Sequence, residues 1–228
     1  MANIKPFRAV RPENKYIKMV SELPYDIINR AQRDINEDID QVFFKDKQDA
    51  IYIYRQIVNN RAQIGIIACV AVDDNINGVV KKNKYSKLNE EIEEINYTKS
   101  YDISTGAILL TYKEQEEIAK IIDYYVYFIT PIYDFKTEDG VIHSIWKVEK
   151  ERDIEDLVNE FYKVKNLYVA GGYDTCKLAE NKALEERRKN QNYTGKEQFN
   201  YYVAMIATHT NTNFMDYNRV VKYLNGFN

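Results

Sequence analysis

The stretch "LYVAGGYDTCKLAENKALEERRKN", Leu167 to Asn190, joins an apolar run, two glycines and a helix-forming segment. That order suits phosphate chemistry, because a glycine turn exposes backbone amides at the positive end of a helix. Gly171 and Gly172 supply the turn, and Tyr173, Asp174 and Thr175 open the helix. A phosphate site usually adds Lys, Arg or His at such a place, for charge-assisted bonds. This chain offers a carboxylate instead. Asp and Thr are also preferred helix N-caps, so the same pair reads as a cap for "CKLAENKALEERRK". The glycines serve either reading, since they let the backbone turn sharply after a strand.

Other reactive side chains are sparse. Cys176 lies near the same helix start, where a helix N-terminus lowers a thiol pKa. Neither histidine is near it in sequence, however, and Asp174 opposes a thiolate. His143 alternates with Ile142 and Trp146 and reads as a packed or surface residue of a hairpin. His209 and His143 have no cysteine or histidine at ligand spacing, which argues against a metal centre. Glu185, Arg187 and Arg188 in "ALEERRKN" read as a solvated helix end, where cations suit the dipole.

The elements that must position these residues follow from periodicity. "AIYIYRQIV" and "AQIGIIACVAV" are β-branched runs joined by "NNR", which predicts a hairpin. "GAILLTY" predicts a short buried strand, and "FNYYVAMIAT" another. Strands are expected at Ile51–Val58, Gln63–Val72, Ala107–Tyr112, Leu167–Ala170 and Asn200–Ala207. "PIYDFKTEDGVIHSIWKV" predicts a second hairpin around "EDG". Amphipathic spacing predicts helices over Tyr85–Asn96, "KEQEEIAKIIDYYVYF" and "DIEDLVNEFYKV", the last with Asp153 as N-cap. The first fifty residues read as irregular, with two short helical stretches. Strands and helices mix without strict alternation, which predicts an α+β fold on a mixed sheet. No repeat or linker divides the chain, so residues 1–228 are expected to form one domain.

At 228 residues the chain can bury a sizeable core. Its net charge is −3 with Lys and Arg dispersed, which offers no footprint for nucleic acid. Two lone cysteines, and an N-terminus without the apolar core of a signal peptide, suggest a reducing compartment. No apolar run reaches membrane-spanning length. A soluble cytoplasmic protein is expected. The twenty tyrosines fit AT-rich coding DNA and carry little functional weight.

Several blocks resemble one bacterial and archaeal family, the domain of unknown function 1015. They are "IKPFRAVRP", "LPYDII", "YIYRQIVNNRAQIGIIACVAVDD", "VVKK", "STGAILLTYK", "PIYDFKTEDGVIHSIW", "NYTGKEQFNYYVAMI" and "MDYNRVVKYLNG". The family carries a longer segment where this chain has "NEDIDQVFFKDK", and it continues past "YLNG". The chain therefore looks like a shortened copy, similar to the N-terminal part of the family. The family signature Ala-Asp-Gly-His-His-Arg is similar to the phosphate-binding turn of the ParB and sulfiredoxin-like superfamily, which includes free-serine kinases. Here it reads Ala170, Gly171, Gly172, Tyr173, Asp174, Thr175. A second family block, His-Glu-x-Thr and then Lys-Glu-x-Asp-Arg-x-Asn-His, keeps Lys82, Glu91 and Asn96. It loses both histidines, and Glu94 stands for the arginine.

The resemblance implies a small-molecule phosphotransferase acting on serine, with a nucleotide or pyrophosphate donor and Mg²⁺ if active. Lys82, Gly171, Gly172, Tyr173, Asp174 and Thr175 map onto the phosphate site. Asp26 and Glu91 are the remaining candidates for base or metal ligand. Their structural alternatives are closure of the "PYD" turn by Asp26 and a solvated helix position for Glu91. A guanidinium bond contributes about 1.5–3 kcal/mol, against roughly 0.3–1 kcal/mol from a helix dipole. Exchange of His-His-Arg for Tyr-Asp-Thr should therefore leave activity weak or absent. Two other readings follow: a non-catalytic regulatory module, partnered by an intact paralogue or by itself as an oligomer, or a remnant of a longer protein.

Overall fold

The computed structural model describes residues 1–22, 42–82 and 108–212. The helix expected over Tyr85–Asn96, the "LPYDII" turn and the "MDYNRVVKYLNG" block lie outside these residues. So do Asp26 and Glu91.

Strands β1 (Ile4–Lys5) and β2 (Val10–Pro12) lead into a single 3₁₀ turn and α1 (Ile17–Glu22). β3 (Phe43–Lys45) pairs with β2 in a small antiparallel sheet. β4 (Ile51–Val58) and β5 (Arg61–Ala71) form the first hairpin. Its two turn residues, Asn59 and Asn60, have φ of 48° and 62°. Asn tolerates this region, and two successive positive φ values match the twist of the flanking strands. α2 (Val72–Ile76) and β6 (Val80–Lys81) follow, then β7 (Ile108–Tyr112) and α3 (Glu116–Phe128). β8 (Tyr133–Lys136) and β9 (Ile142–Val148) make the second hairpin, with Gly140 at φ 86° in its turn. The chain continues through α4 (Glu151–Lys163), β10 (Leu167–Gly171), α5 (Tyr173–Lys189) and β11 (Tyr201–Thr208).

Among the described residues the main sheet has nine strands in the order β6-β10-β7-β11-β5-β4-β9-β8, with β1 added to β5 beyond the end of β4. β6 runs parallel to β10 and β7 parallel to β11; the other pairs are antiparallel. The fold is α+β on a mixed sheet, as the pattern predicts. Ile53, Ile66, Ile206 and Leu110 stand opposite one another across four strands, so their side chains share one face. On that face the core continues into Ile118, Ile122 and Tyr125 of α3 and Leu157 and Phe161 of α4. The Tyr112 and Phe161 rings meet at 5.1 Å, and Trp146 Nε1 donates to the Ile129 carbonyl at 2.8 Å.

The first segment departs from the irregular reading. Ile4 is buried opposite Val70, and Phe7 bridges to Ala50. Arg11 on β2 donates to the buried Asp46 at 3.0 Å, and Tyr52 also bonds Asp46. The partners of Ile4, Phe7 and Arg11 are distant in sequence, so strands of two or three residues form there without a local pattern. Asp153, expected as the N-cap of α4, lies inside its first turn instead. Lys150 occupies the cap, and the Asp153 carboxylate accepts a bond from Tyr125 at 2.6 Å.

Candidate functional site

β10 is an interior strand, held between β6 and β7, so the turn that follows it is fixed by pairing on both sides. Because β10 and β6 are parallel, with Leu167 opposite Val80, their carboxyl ends leave the sheet at the same edge. Ligand crevices in open α/β sheets lie outside such ends. Lys82 follows β6 there, and Gly171 and Gly172 follow β10. The sheet therefore brings together Lys82 and the glycine turn, two pieces that the sequence separates by some ninety residues.

Gly172 occupies the helix cap with φ 72° and ψ 39°, the left-handed region that glycine enters at little cost. A Cβ at this position would sit 3.4 Å from Ile108 Cα and Cγ1. The glycine thus also lets α5 start close against β7. Asp174 and Thr175, expected as N-caps, instead lie in the first turn of α5, and no side chain bonds the cap. Tyr173 and Thr175 are half-buried, whereas Asp174 is only 5 % exposed. A carboxylate in a first helical turn is favoured by the dipole. It takes the electrostatic place that an anionic ligand would use.

Lys82 does not present a free ammonium. It forms an ion pair with Glu180 of α5, and the two side chains are 23 % and 24 % exposed. Behind this pair, Cys176 is fully buried and accepts a bond from Asn75 Nδ2 at 3.1 Å, while Tyr202 donates to Asn75 Oδ1 at 2.8 Å. Burial pushes the Cys176 thiol above its ordinary pKa, against the opposing charge of Lys82. The helix N-terminus does not make this thiol reactive.

One carboxylate that sequence reasoning missed is Asp74 in α2. It is 7 % exposed and accepts the Asn3 backbone N–H at 2.6 Å. Burial raises its pKa to about 6, with the Asn3 bond pulling the other way. The "DDNI" sequence shows the acid but carries no sign of its burial, which depends on β1 docking over α2.

His143 stacks between Phe135 and Tyr54, and its Nδ1 lies 2.7 Å from the Tyr54 hydroxyl. It is packed, and burial lowers its pKa. Among the described residues no group of three or more His, Cys, Asp or Glu could hold a metal ion. The described part of the turn does not fit a polyphosphate with Mg²⁺. Lys82 is already paired, and the Asp174 carboxylate is buried in the helix start. No helix among the described residues is long and apolar enough to cross a membrane.

No curated protein and no solved structure matches the chain. A family model, described as protein of unknown function (DUF1015), matches residues 35–228. That span holds β3 through β11, including Lys82, the glycine turn and α5, and the chain accordingly belongs to the DUF1015 family.

Proposed function

We propose that this chain is a phosphotransferase-like protein, similar to free-serine kinases, whose phosphate site has been electrically neutralised and which transfers phosphate weakly or not at all. The observation that carries this reading is the ion pair that holds Lys82, at the end of the strand next to β10 and its Gly171–Gly172 turn, to Glu180 two turns into α5. Asp174 adds to it, because an incoming phosphate would meet a carboxylate at the helix start. The scaffold keeps the strand, glycine turn and helix that seat an anion, and it lacks the cation that would hold one. On this reading the protein works in the cytoplasm.

The test is phosphorylation of serine by purified protein, with ATP, ADP or pyrophosphate as donor and Mg²⁺ present. Product is expected at background level. Turnover that disappears in Asp26→Asn, or in Glu91→Gln, would overturn the proposal. A thermal-shift screen with the same compounds covers binding without turnover. A ligand at a hundredfold its Kd stabilises the folded state by about 2.7 kcal/mol.

A second reading, a non-catalytic module that binds a partner, is favoured by the aromatic side chains that α3 leaves exposed: Tyr124, Tyr127 and Phe128.

A further inference from the structure

Helices α3 and α4 enclose a groove of about 380 Å³ that is separate from the glycine turn. Its α3 wall is a stripe at spacings of four, three and four: Glu117, Ile121, Tyr124 and Phe128. The first three line the groove directly. Phe128 extends the stripe through a ring contact with Tyr124 at 5.9 Å. The α4 wall is Asp153, Asp156 and Glu160. Ile121, Tyr124 and Tyr125 thus stand on the α3 side, where Lys120 pairs with Glu117, and three carboxylates line the α4 side.

Two properties identify what fits. Phe128 and the adjacent Tyr127 are 77 % and 75 % exposed, which is unusual for large rings side by side on a helix. The two helices carry eight carboxylates against three cations, although the whole chain is only −3. The cations present are paired within their own helices. Lys120 reaches Glu116 at 2.9 Å and Glu117 at 2.8 Å, Lys163 reaches Glu160 at 2.5 Å, and Arg152 reaches Asp156 at 3.9 Å. All three cations are exposed, although Glu160 is half-buried, and such pairs of adjacent helical turns contribute little. A ring flanked by acids also holds an ammonium or guanidinium over its face.

We propose that the α3–α4 groove docks a basic, amphipathic segment of a partner protein. Its Lys or Arg heads lie against Asp153, Asp156 and Glu160, and its apolar side chains cover Tyr124 and Phe128. A free amine would leave the Tyr127 and Phe128 rings uncovered, and an acidic segment would be repelled. The inference does not depend on whether the phosphate turn is active.

The test uses a fluorescein-labelled peptide of Lys and Leu at helical spacing, with a Glu-for-Lys version as control. Anisotropy should show binding of the Lys peptide only, weakening as salt rises. Affinity should fall roughly tenfold in Asp156→Asn with Glu160→Gln, and again roughly tenfold in Phe128→Ser. Phe128→Ser alters an exposed side chain, and circular dichroism should give an unchanged melt. Equal binding of both peptides, or unchanged binding in both variants, would overturn the proposal. Full displacement by spermine with no effect of Phe128→Ser would point to a small amine instead. A dimer of the chain alone that Phe128→Ser dissociates would make a second copy the occupant. Either result would also overturn it.

Discussion

The ammonium of Lys82, at the end of β6, is held by the carboxylate of Glu180, two turns into α5, although the residues lie 98 positions apart. The pair lies near the buried Cys176 and ties the residue that follows β6 to the helix capped by Gly172. It is a fold contact that also occupies the Lys82 ammonium.

Removing the carboxylate should separate those roles. Glu180→Gln frees Lys82, and affinity for pyrophosphate is expected to rise severalfold, equivalent to about 1 kcal/mol. Stability should fall by a similar amount, since a half-buried ammonium loses its partner. Calorimetric titration and chemical denaturation of the same two proteins measure both. A loss of stability with no gain in anion affinity would leave the pair a structural contact.

Tyr173→His, Asp174→His and Thr175→Arg together install at the helix start the residues that the resemblance implies there. Pyrophosphate or nucleotide affinity should rise by about 2–4 kcal/mol, on the order of tenfold to several hundredfold. The stability cost comes from position 174, where an imidazole must enter a site that holds a buried carboxylate, and no side-chain cap is lost. Asp174→Asn alone should therefore destabilise much less than the triple change. Titration calorimetry and melting curves distinguish the two contributions.

Gly172 and Gly195 both have positive φ, at 72° and 84°, but only Gly172 has a neighbour where a Cβ would go. Gly195→Ala should cost about 1–2 kcal/mol for the left-handed backbone alone. Gly172→Ala should cost more, because Ile108 must also yield. Equal losses in urea denaturation would show that α5 does not need its close start against β7.

Asp74 titrates near 6 in the folded protein and near 3.8 when unperturbed. Between these values the folded state keeps a proton that the unfolded state has released. Stability from this group is present at low pH and declines as pH rises from about 4 to about 6. Asp74→Asn keeps an oxygen for the Asn3 N–H and abolishes the titration. The variant should gain on the wild type across that window, by on the order of 1–2 kcal/mol. Melting temperatures of the two proteins compared at pH 4 and pH 7 check the sign.

The sequence alone determined those parts whose information is local. Alternation in "IYIYRQIV" places Ile51 and Ile53 on the core face, and two asparagines tolerate the positive φ of the first hairpin turn. The four-and-three spacing of α3 and α4 likewise predicts which sides they bury, and the strand, glycine turn and helix at Leu167–Lys189 are legible from composition. Only the tertiary structure decided how β1 and the β2–β3 pair are recruited, which residue caps α5, and where the Lys82 charge goes. Two or three residues carry no periodicity, so β1 forms only because Ile4 finds Val70 across the closed chain. Asp174 looks like a cap until the register of β10 against β7 places the cap two residues earlier, at Gly172. Glu180 reads as one more solvated helix acid, and only the parallel pairing of β6 with β10 delivers an ammonium to it. Local dihedral preference and patterning are written residue by residue, whereas burial and charge pairing depend on which distant segments the sheet brings together.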